Sequence, residues 1–193
     1  MNRLSFLGIF AILTITALVS LSCERDDICV EGTLTTPLLV IEFFDAEIFT
    51  NTTEDVLKPT SDLWVEAVDP NTVIDNGVEV IVDPIQGEPQ AVSTISIPLR
   101  TAQDATEYRF IKDYALDEDG NQLGNEDIIT FNYSREEIFL SRACGFITNY
   151  TLNETDGVVL TTDGDTWISS NPAIVIENTI VEDETVTHVK IYH

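Results

Sequence analysis

The residues of this chain that could do chemistry are concentrated in one acidic segment, residues 117–127. Side chains bearing oxygen recur at alternate positions as Asp117, Asp119 and Asn121, and Asp127 could complete a shell. Calcium takes roughly six to eight such oxygens in irregular geometry. The segment is not an EF-hand, because its sixth and twelfth positions are Gln and Ile instead of the required Gly and Glu. Acidic Asp-Gly-Asn loops are also ordinary hairpin connectors, so a calcium site and a plain turn both remain open.

No other group of residues forms a convincing catalytic pattern. Adjacent acids such as Glu136 and Glu137 could serve in glycoside hydrolysis, but such pairs are uninformative in a chain with 34 acidic residues. Trp64 and Trp167 could stack on a sugar or pack in a core. A nucleophilic cysteine is not expected, because the available basic partners, His188 and His193, have no evident orienting context. The sequence therefore favours a protein that is not an enzyme.

Cys23 follows a segment with the three parts of a secretory signal. Arg3 supplies a positive charge, residues 4–19 are mainly apolar, and Ser22 is small at the cleavage point. This order predicts a signal peptide over residues 1–22 and lipid attached to the Cys23 thiol. Each buried methylene of a lipid chain contributes about 0.8 kcal/mol, so two or three chains hold a protein at a membrane. An uncleaved transmembrane anchor is the alternative, because the apolar stretch is close to the spanning minimum.

Cys29 and Cys144 are the other two cysteines of the chain. Export to an oxidising compartment favours a disulfide between them. Such a bond would hold the start of the domain close to the lipid on Cys23. Two separate buried thiols are the alternative.

The charge balance excludes one class of partner and leaves others open. The chain has 34 acidic and 9 basic residues, which gives a net charge of −25. Nucleic acid is not expected as a partner, because binding it depends on Lys and Arg at the phosphates. Cations and basic proteins stay plausible as partners, and so does a plain, well-solvated surface.

Alternation of apolar and polar residues predicts strands along the rest of the chain. Residues 37–44 are nearly all apolar, as in a strand buried on both faces. Residues 78–83, 95–99, 129–133 and 187–192 alternate between apolar and polar side chains with a period of two. Asn-Gly and Asp-Gly pairs between them are typical of tight turns. No segment has the pattern of a long amphipathic helix.

These patterns predict an all-β protein with one sandwich domain. We expect a signal peptide at 1–22, a lipidated tether at 23–36, and a single antiparallel β-sandwich at 37–193. An immunoglobulin-like arrangement of the strands is one form that this sandwich could take.

Two cysteine segments resemble those of a flavobacterial lipoprotein family of unknown function. They are the Cys-x5-Cys start from Cys23 to Cys29 and the Ser-Arg-Ala-Cys-Gly segment at 141–145. The resemblance implies an outer-membrane lipoprotein of the Bacteroidota with a small β domain, and it implies no activity. Glu24, Asp26 and Asp27 resemble a surface-display signal, but Arg25 interrupts them, so the periplasmic and surface faces both stay open.

The expected function is a membrane-anchored lipoprotein of the cell envelope with a non-enzymatic binding or structural domain. It is held by lipid on Cys23, needs no cofactor, and has a protein or glycan partner that the sequence does not identify. A calcium-dependent glycan-binding accessory lipoprotein is the first alternative, and a secreted hydrolase is the second.

Overall fold

A computed structural model of the chain describes residues 28–69, 72–75, 78–81, 88–161 and 163–193. The predicted signal peptide and Cys23 lie outside the described residues. The described residues form two compact units. The smaller, which we call the stapled unit, consists of residues 28–34 and 139–147, and the larger contains the sheets.

The first sheet of the larger unit has four strands in the order β11–β13–β1–β6. Their bounds are β1 Leu39–Phe44, β6 Thr94–Ile97, β11 Ile174–Ile176 and β13 Val189–Tyr192. The pair β1–β13 is parallel, with Glu42 opposite Lys190 and Phe44 opposite Tyr192. The other two ladders of this sheet are antiparallel.

The second sheet is antiparallel in every ladder whose register is established. Its strands follow the order β12–β9–β8–β7–β2–β5, and β10 also pairs with β8. Their bounds are β2 Thr60–Ala67, β5 Gln90–Val92, β7 Ala105–Leu116, β8 Gln122–Ser141, β9 Gly145–Leu152, β10 Val158–Thr161 and β12 Ile180–Val181. The 20-residue strand β8 and the strand β9 extend into the stapled unit.

Two short elements complete the larger unit. The strands β3 Thr72–Asp75 and β4 Val78–Ile81 form a separate hairpin, with Asp75 opposite Val78. The helix α1, Ala46–Thr52, begins after Asp45, whose side chain accepts hydrogen bonds from the backbone N–H groups of Glu47 and Ile48. A carboxylate at this position satisfies backbone donors that have no partner inside the helix.

The core lies between the two main sheets. Alternate residues of the strands point inward, as in Leu39, Ile41 and Phe43 of β1, and pack with Phe110 and Phe131 of the second sheet. The predicted all-β sandwich is confirmed. It is not purely antiparallel, because β1 and β13 are parallel. The immunoglobulin-like form stays a prediction. No helix in the described part of the chain is long and apolar enough to cross a membrane.

A disulfide joins Cys29 to Cys144 within the stapled unit, and this is the pair expected from the sequence. The two Cα atoms are 4.8 Å apart. The bond attaches residues 28–34 to the turn between β8 and β9, and the backbone N–H of Cys144 donates to the Ser141 hydroxyl at 3.0 Å.

Candidate functional site

An open cavity of about 570 Å³ lies on the outer face of the four-stranded sheet. The alternation of β1 and β13 creates its floor. Since Ile41, Phe43 and Ile191 point into the core, their neighbours Glu42 and Lys190 point outward. The parallel register then places Glu42 and Lys190 side by side.

Loops from distant parts of the chain form the walls of this cavity. Asp55 comes from the segment after α1, Glu177 and Asn178 follow β11, and Val186 and Thr187 precede β13. We call this cavity the acidic groove. Its lining residues are Glu42, Phe44, Asp55, Glu177, Asn178, Val186, Thr187 and Lys190.

Lys190 is held in the acidic groove by two carboxylates. Its ammonium Nζ lies 2.9 Å from Asp55 Oδ2 and 2.9 Å from Glu177 Oε2, and 5.6 Å from the centre of the Phe44 ring. The hydrogen bond to Asp55 and the contact with Glu177 raise the pKa of Lys190 well above its ordinary value. Lys190 is therefore a fixed cation in this groove.

Asp55 links Lys190 to a tyrosine. The Tyr192 hydroxyl donates to Asp55 Oδ1 at 2.6 Å, and this bond, together with Lys190, lowers the pKa of Asp55. Burial and the neighbouring carboxylate raise the pKa of Tyr192 to about 12. The Tyr192 ring also contacts Phe49 of α1, with ring centres 4.8 Å apart. The wall that carries Asp55 is thus fixed to the sheet by an ion pair, a hydrogen bond and an aromatic contact.

The acidic groove has more negative than positive charge. Glu42, Asp55 and Glu177 supply three carboxylates, whereas Lys190 supplies one ammonium group. Within the described part of the chain, no ion pair engages Glu42. The arrangement can therefore accept a second cationic group beside Glu42, with the exposed Val186 available to its apolar stem.

The predicted calcium segment forms a turn that uses its own oxygens. Asp117 accepts hydrogen bonds from Asp119 N at 2.9 Å, from Asn121 N at 2.8 Å and from Asn121 Nδ2 at 2.9 Å. These bonds, led by those of Asn121, lower the pKa of Asp117. An Asp side chain that closes its own turn is the ordinary chemistry of a hairpin connector.

Asp127, the fourth residue of the predicted calcium shell, does not belong to that turn. It pairs with Phe110 inside the β7–β8 ladder and is almost fully buried. Its Oδ2 accepts from the backbone N–H groups of Trp167 and Ile168, each at 3.0 Å. Burial raises its pKa. Among the described residues, no cluster of three or more His, Cys, Asp or Glu side chains could hold a metal ion.

The two tryptophans lie in different environments and do not form one platform. Trp64 stacks on Tyr114 with ring centres 5.1 Å apart, and its Nε1 donates to Glu66 at 2.9 Å. Trp167 packs against Phe43 and His193 at the edge of the core. Trp167 therefore has a packing role.

The sequence patterns did not identify the residues of the acidic groove. Glu42 and Lys190 lie 148 positions apart, and only the β1–β13 pairing brings them together. The available signal was weak: Lys190 is one of only nine basic residues, and it lies on an alternating strand.

Comparison with protein families gives a match over most of the described sandwich. A family model described as "Family of unknown function (DUF6452)" matches residues 63–193, which is more than half of the chain. The match contains Glu177 and Lys190, whereas Glu42 and Asp55 precede it. No curated protein and no solved structure matches the chain.

Proposed function

We propose that this chain, which belongs to the DUF6452 family of unknown function, is a lipid-anchored protein of the bacterial cell envelope that binds a cationic partner without catalysing a reaction. The signal-like segment and Cys23 support the anchor. The resemblance of its cysteine segments to flavobacterial lipoproteins supports the outer membrane as the location. The acidic groove supports the binding role.

The single observation that carries the binding role is the charge of the acidic groove around Lys190. The groove already stabilises one ammonium group with Asp55, Glu177 and the face of Phe44. Carboxylates and an aromatic face are groups that bind Lys and Arg side chains. Glu42 adds a carboxylate with no ion pair of its own in the described part of the chain. A Lys or Arg side chain of a partner protein fits these features.

The charge of the whole chain supports the same class of partner. A net charge of −25 attracts basic proteins over distances of about one Debye length and raises their association rate. Electrostatic complementarity contributes mainly to association rate and specificity. The acidic groove would then supply the contacts that distinguish one basic partner from another.

The chemistry of Lys190 supports a role without catalysis. A lysine acts as a base or nucleophile when its pKa is lowered so that the neutral amine is populated. Here Asp55 and Glu177 have the opposite effect and raise the pKa of Lys190. The group therefore stays an ammonium ion, suited to organising charge in the groove.

A titration with a basic peptide tests the binding role. The probe is fluorescein-labelled hexaarginine, with hexaglutamine as the neutral control, and the protein starts at residue 23 with Cys23→Ser. The double variant Glu42→Gln/Glu177→Gln should weaken binding about tenfold, since each ion pair contributes up to about 1 kcal/mol. Fluorescence anisotropy in low salt measures the dissociation constants.

The matched control separates the acidic groove from general surface charge. Glu118→Gln/Glu136→Gln removes the same charge from exposed positions outside the groove and should leave the affinity nearly unchanged. Equal weakening in both double variants would mean that the probe binds the surface charge, and the proposed site would be rejected. Thermal unfolding of all variants verifies that each is folded.

A further inference from the structure

The stapled unit has an exposed apolar surface that the binding role does not use. Phe139 of β8 and Phe146 of β9 contact each other, with ring centres 5.1 Å apart, yet they are 56% and 64% exposed. The segment joined to them by the disulfide adds three aliphatic side chains with exposures of 70–79%. These are Ile28, Val30 and Leu34.

The same unit carries almost no charge. Its described residues, 28–34 and 139–147, contain Glu31 and Arg142 as their charged side chains, so their formal net charge is zero. The whole chain, in contrast, has a net charge of −25. Large exposed apolar side chains on a surface with no net charge are typical of a surface that contacts an apolar partner.

We propose that this apolar surface of the stapled unit lies in the interfacial layer of the membrane that holds the lipid anchor. The inference rests on the proposed lipidation of Cys23. Cys29 lies six positions after Cys23, and a fully extended chain of that length spans about 22 Å at most. Cys29 is bonded to Cys144, in the turn that leads into β9 and Phe146. The lipid therefore confines the exposed Phe and aliphatic side chains to the neighbourhood of the bilayer.

The chemistry of the surface fits a bilayer boundary. Phe and Leu side chains on a surface lacking net charge are those that enter the boundary between headgroups and acyl chains, at a depth of about 5–10 Å. Arg142 can extend its charged end toward the headgroups while its stem stays with the apolar groups. The lipid on Cys23 would then hold the protein at the membrane, and the apolar surface would set the orientation of the stapled unit at the bilayer.

The test uses the mature, lipidated chain reconstituted in phosphatidylcholine vesicles. Phe146→Trp and, in a second protein, Phe139→Trp place a fluorescent ring in the apolar surface. The control Leu123→Trp places one at a position near the start of β8 with comparable exposure, 48%. Each protein is measured in vesicles with and without bromine atoms on the acyl chains, and the wild-type signal is subtracted.

The two Phe→Trp variants should lose about half of the added emission in brominated vesicles, because bromine quenches a ring buried about 5–10 Å into the interface. Leu123→Trp should keep its emission. Quenching of neither Phe→Trp variant, or equal quenching of all three proteins, would overturn the inference.

A second copy of the chain is the competing occupant, and the same proteins reveal it. In that case the indole rings of Phe146→Trp and Phe139→Trp would be protected from iodide but not quenched by bromine, and crosslinking would give dimers. This combination would assign the surface to self-association. That result would overturn the membrane inference.

Mass spectrometry of each reconstituted protein shows whether it carries lipid on Cys23. A chain without lipid would refute the proposed anchor itself, whereas a lipidated chain with an unquenched ring would refute the membrane contact alone.

Discussion

His188 is a buried histidine that the fold accepts in its neutral form. Its Nδ1 accepts a hydrogen bond from the Val40 backbone N–H at 2.9 Å, and its ring is fully buried. A second proton would occupy Nδ1 and displace the Val40 N–H. Burial lowers the pKa of His188, although Asp183 and Glu184 oppose this effect.

This environment predicts that the protein loses stability in mild acid. Below about pH 6.5 the unfolded chain binds a proton at His188 that the folded chain resists, so the free energy of unfolding falls as the pH falls. His188→Gln removes the titration and should flatten the decline between about pH 7 and pH 5. Urea unfolding of both proteins at several pH values measures this pH dependence.

His193 provides the comparison for that experiment, because burial lowers its pKa as well. His193→Gln should therefore also reduce the fall in the free energy of unfolding between about pH 7 and pH 5, independently of His188. If the free energy of unfolding fell equally with pH in the wild type and in His188→Gln, the contact with Val40 would not depend on the neutral ring.

Asp127 shows why some residue roles were not predictable. In sequence it lies six positions after Asn121, close enough to suggest a shared ligand shell. In the structure residues 122–127 belong to strand β8, and a strand rises about 3.3 Å per residue. The carboxylate is thereby carried into the sandwich, where Trp167 and Ile168 donate to it. The loop that supplies these donors lies 40 positions away, and local sequence gives no sign of it.

At the scale of elements, a β-bulge shapes the outer face of the second sheet. Asp113 and Tyr114 of β7 oppose the single residue Gly124 of β8. Asp113 takes a positive φ of 57°, and its carboxylate accepts a hydrogen bond from the Ser61 hydroxyl. The extra residue changes the direction of the strand, and Tyr114 stacks on Trp64.

The bulge predicts that Gly124 cannot be replaced. A Cβ there would lie 2.7 Å from the Lys112 carbonyl oxygen, and the φ of +110° strains any other residue. Gly124→Ala should therefore destabilise the protein more than Gly120→Ala, whose φ is +82° but whose Cβ would meet open space. The control variant should lose about 1–2 kcal/mol. Chemical unfolding compares the two, and equal losses would contradict a packing role for Gly124.

Five strands were predictable, and the helix was not. The apolar run located β1, and alternation located β4, β6, β13 and part of β8, because a half-buried strand has polar residues on one face. The other strands, among them the 12-residue β7, were not predicted. The helix α1 has only seven residues, too few for a helical period to stand out. Its signal was Asp45 followed by Glu47, an N-cap with an acid in the first turn. The parallel β1–β13 pair joins segments far apart in the chain, which alternation cannot reveal.

At the scale of the whole molecule, the disulfide connects residues 115 positions apart. A bond that closes so long a loop restricts the unfolded chain strongly. Cys29→Ser/Cys144→Ser should therefore lower the free energy of unfolding by about 2–5 kcal/mol. The double variant avoids an unpaired thiol, and urea unfolding without reductant measures the loss. A change below about 1 kcal/mol would mean that the bond adds little beyond local attachment.

Lipidation of Cys23 is the claim on which both the envelope role and the membrane contact depend. Its most direct test is the mass of the N-terminal peptide of the full-length gene product, expressed in a bacterium and purified from the membrane fraction. We predict a peptide that begins at Cys23 and carries a diacylglyceryl group on its sulfur. A peptide that retains Met1, or one with an unmodified thiol at Cys23, would contradict the account.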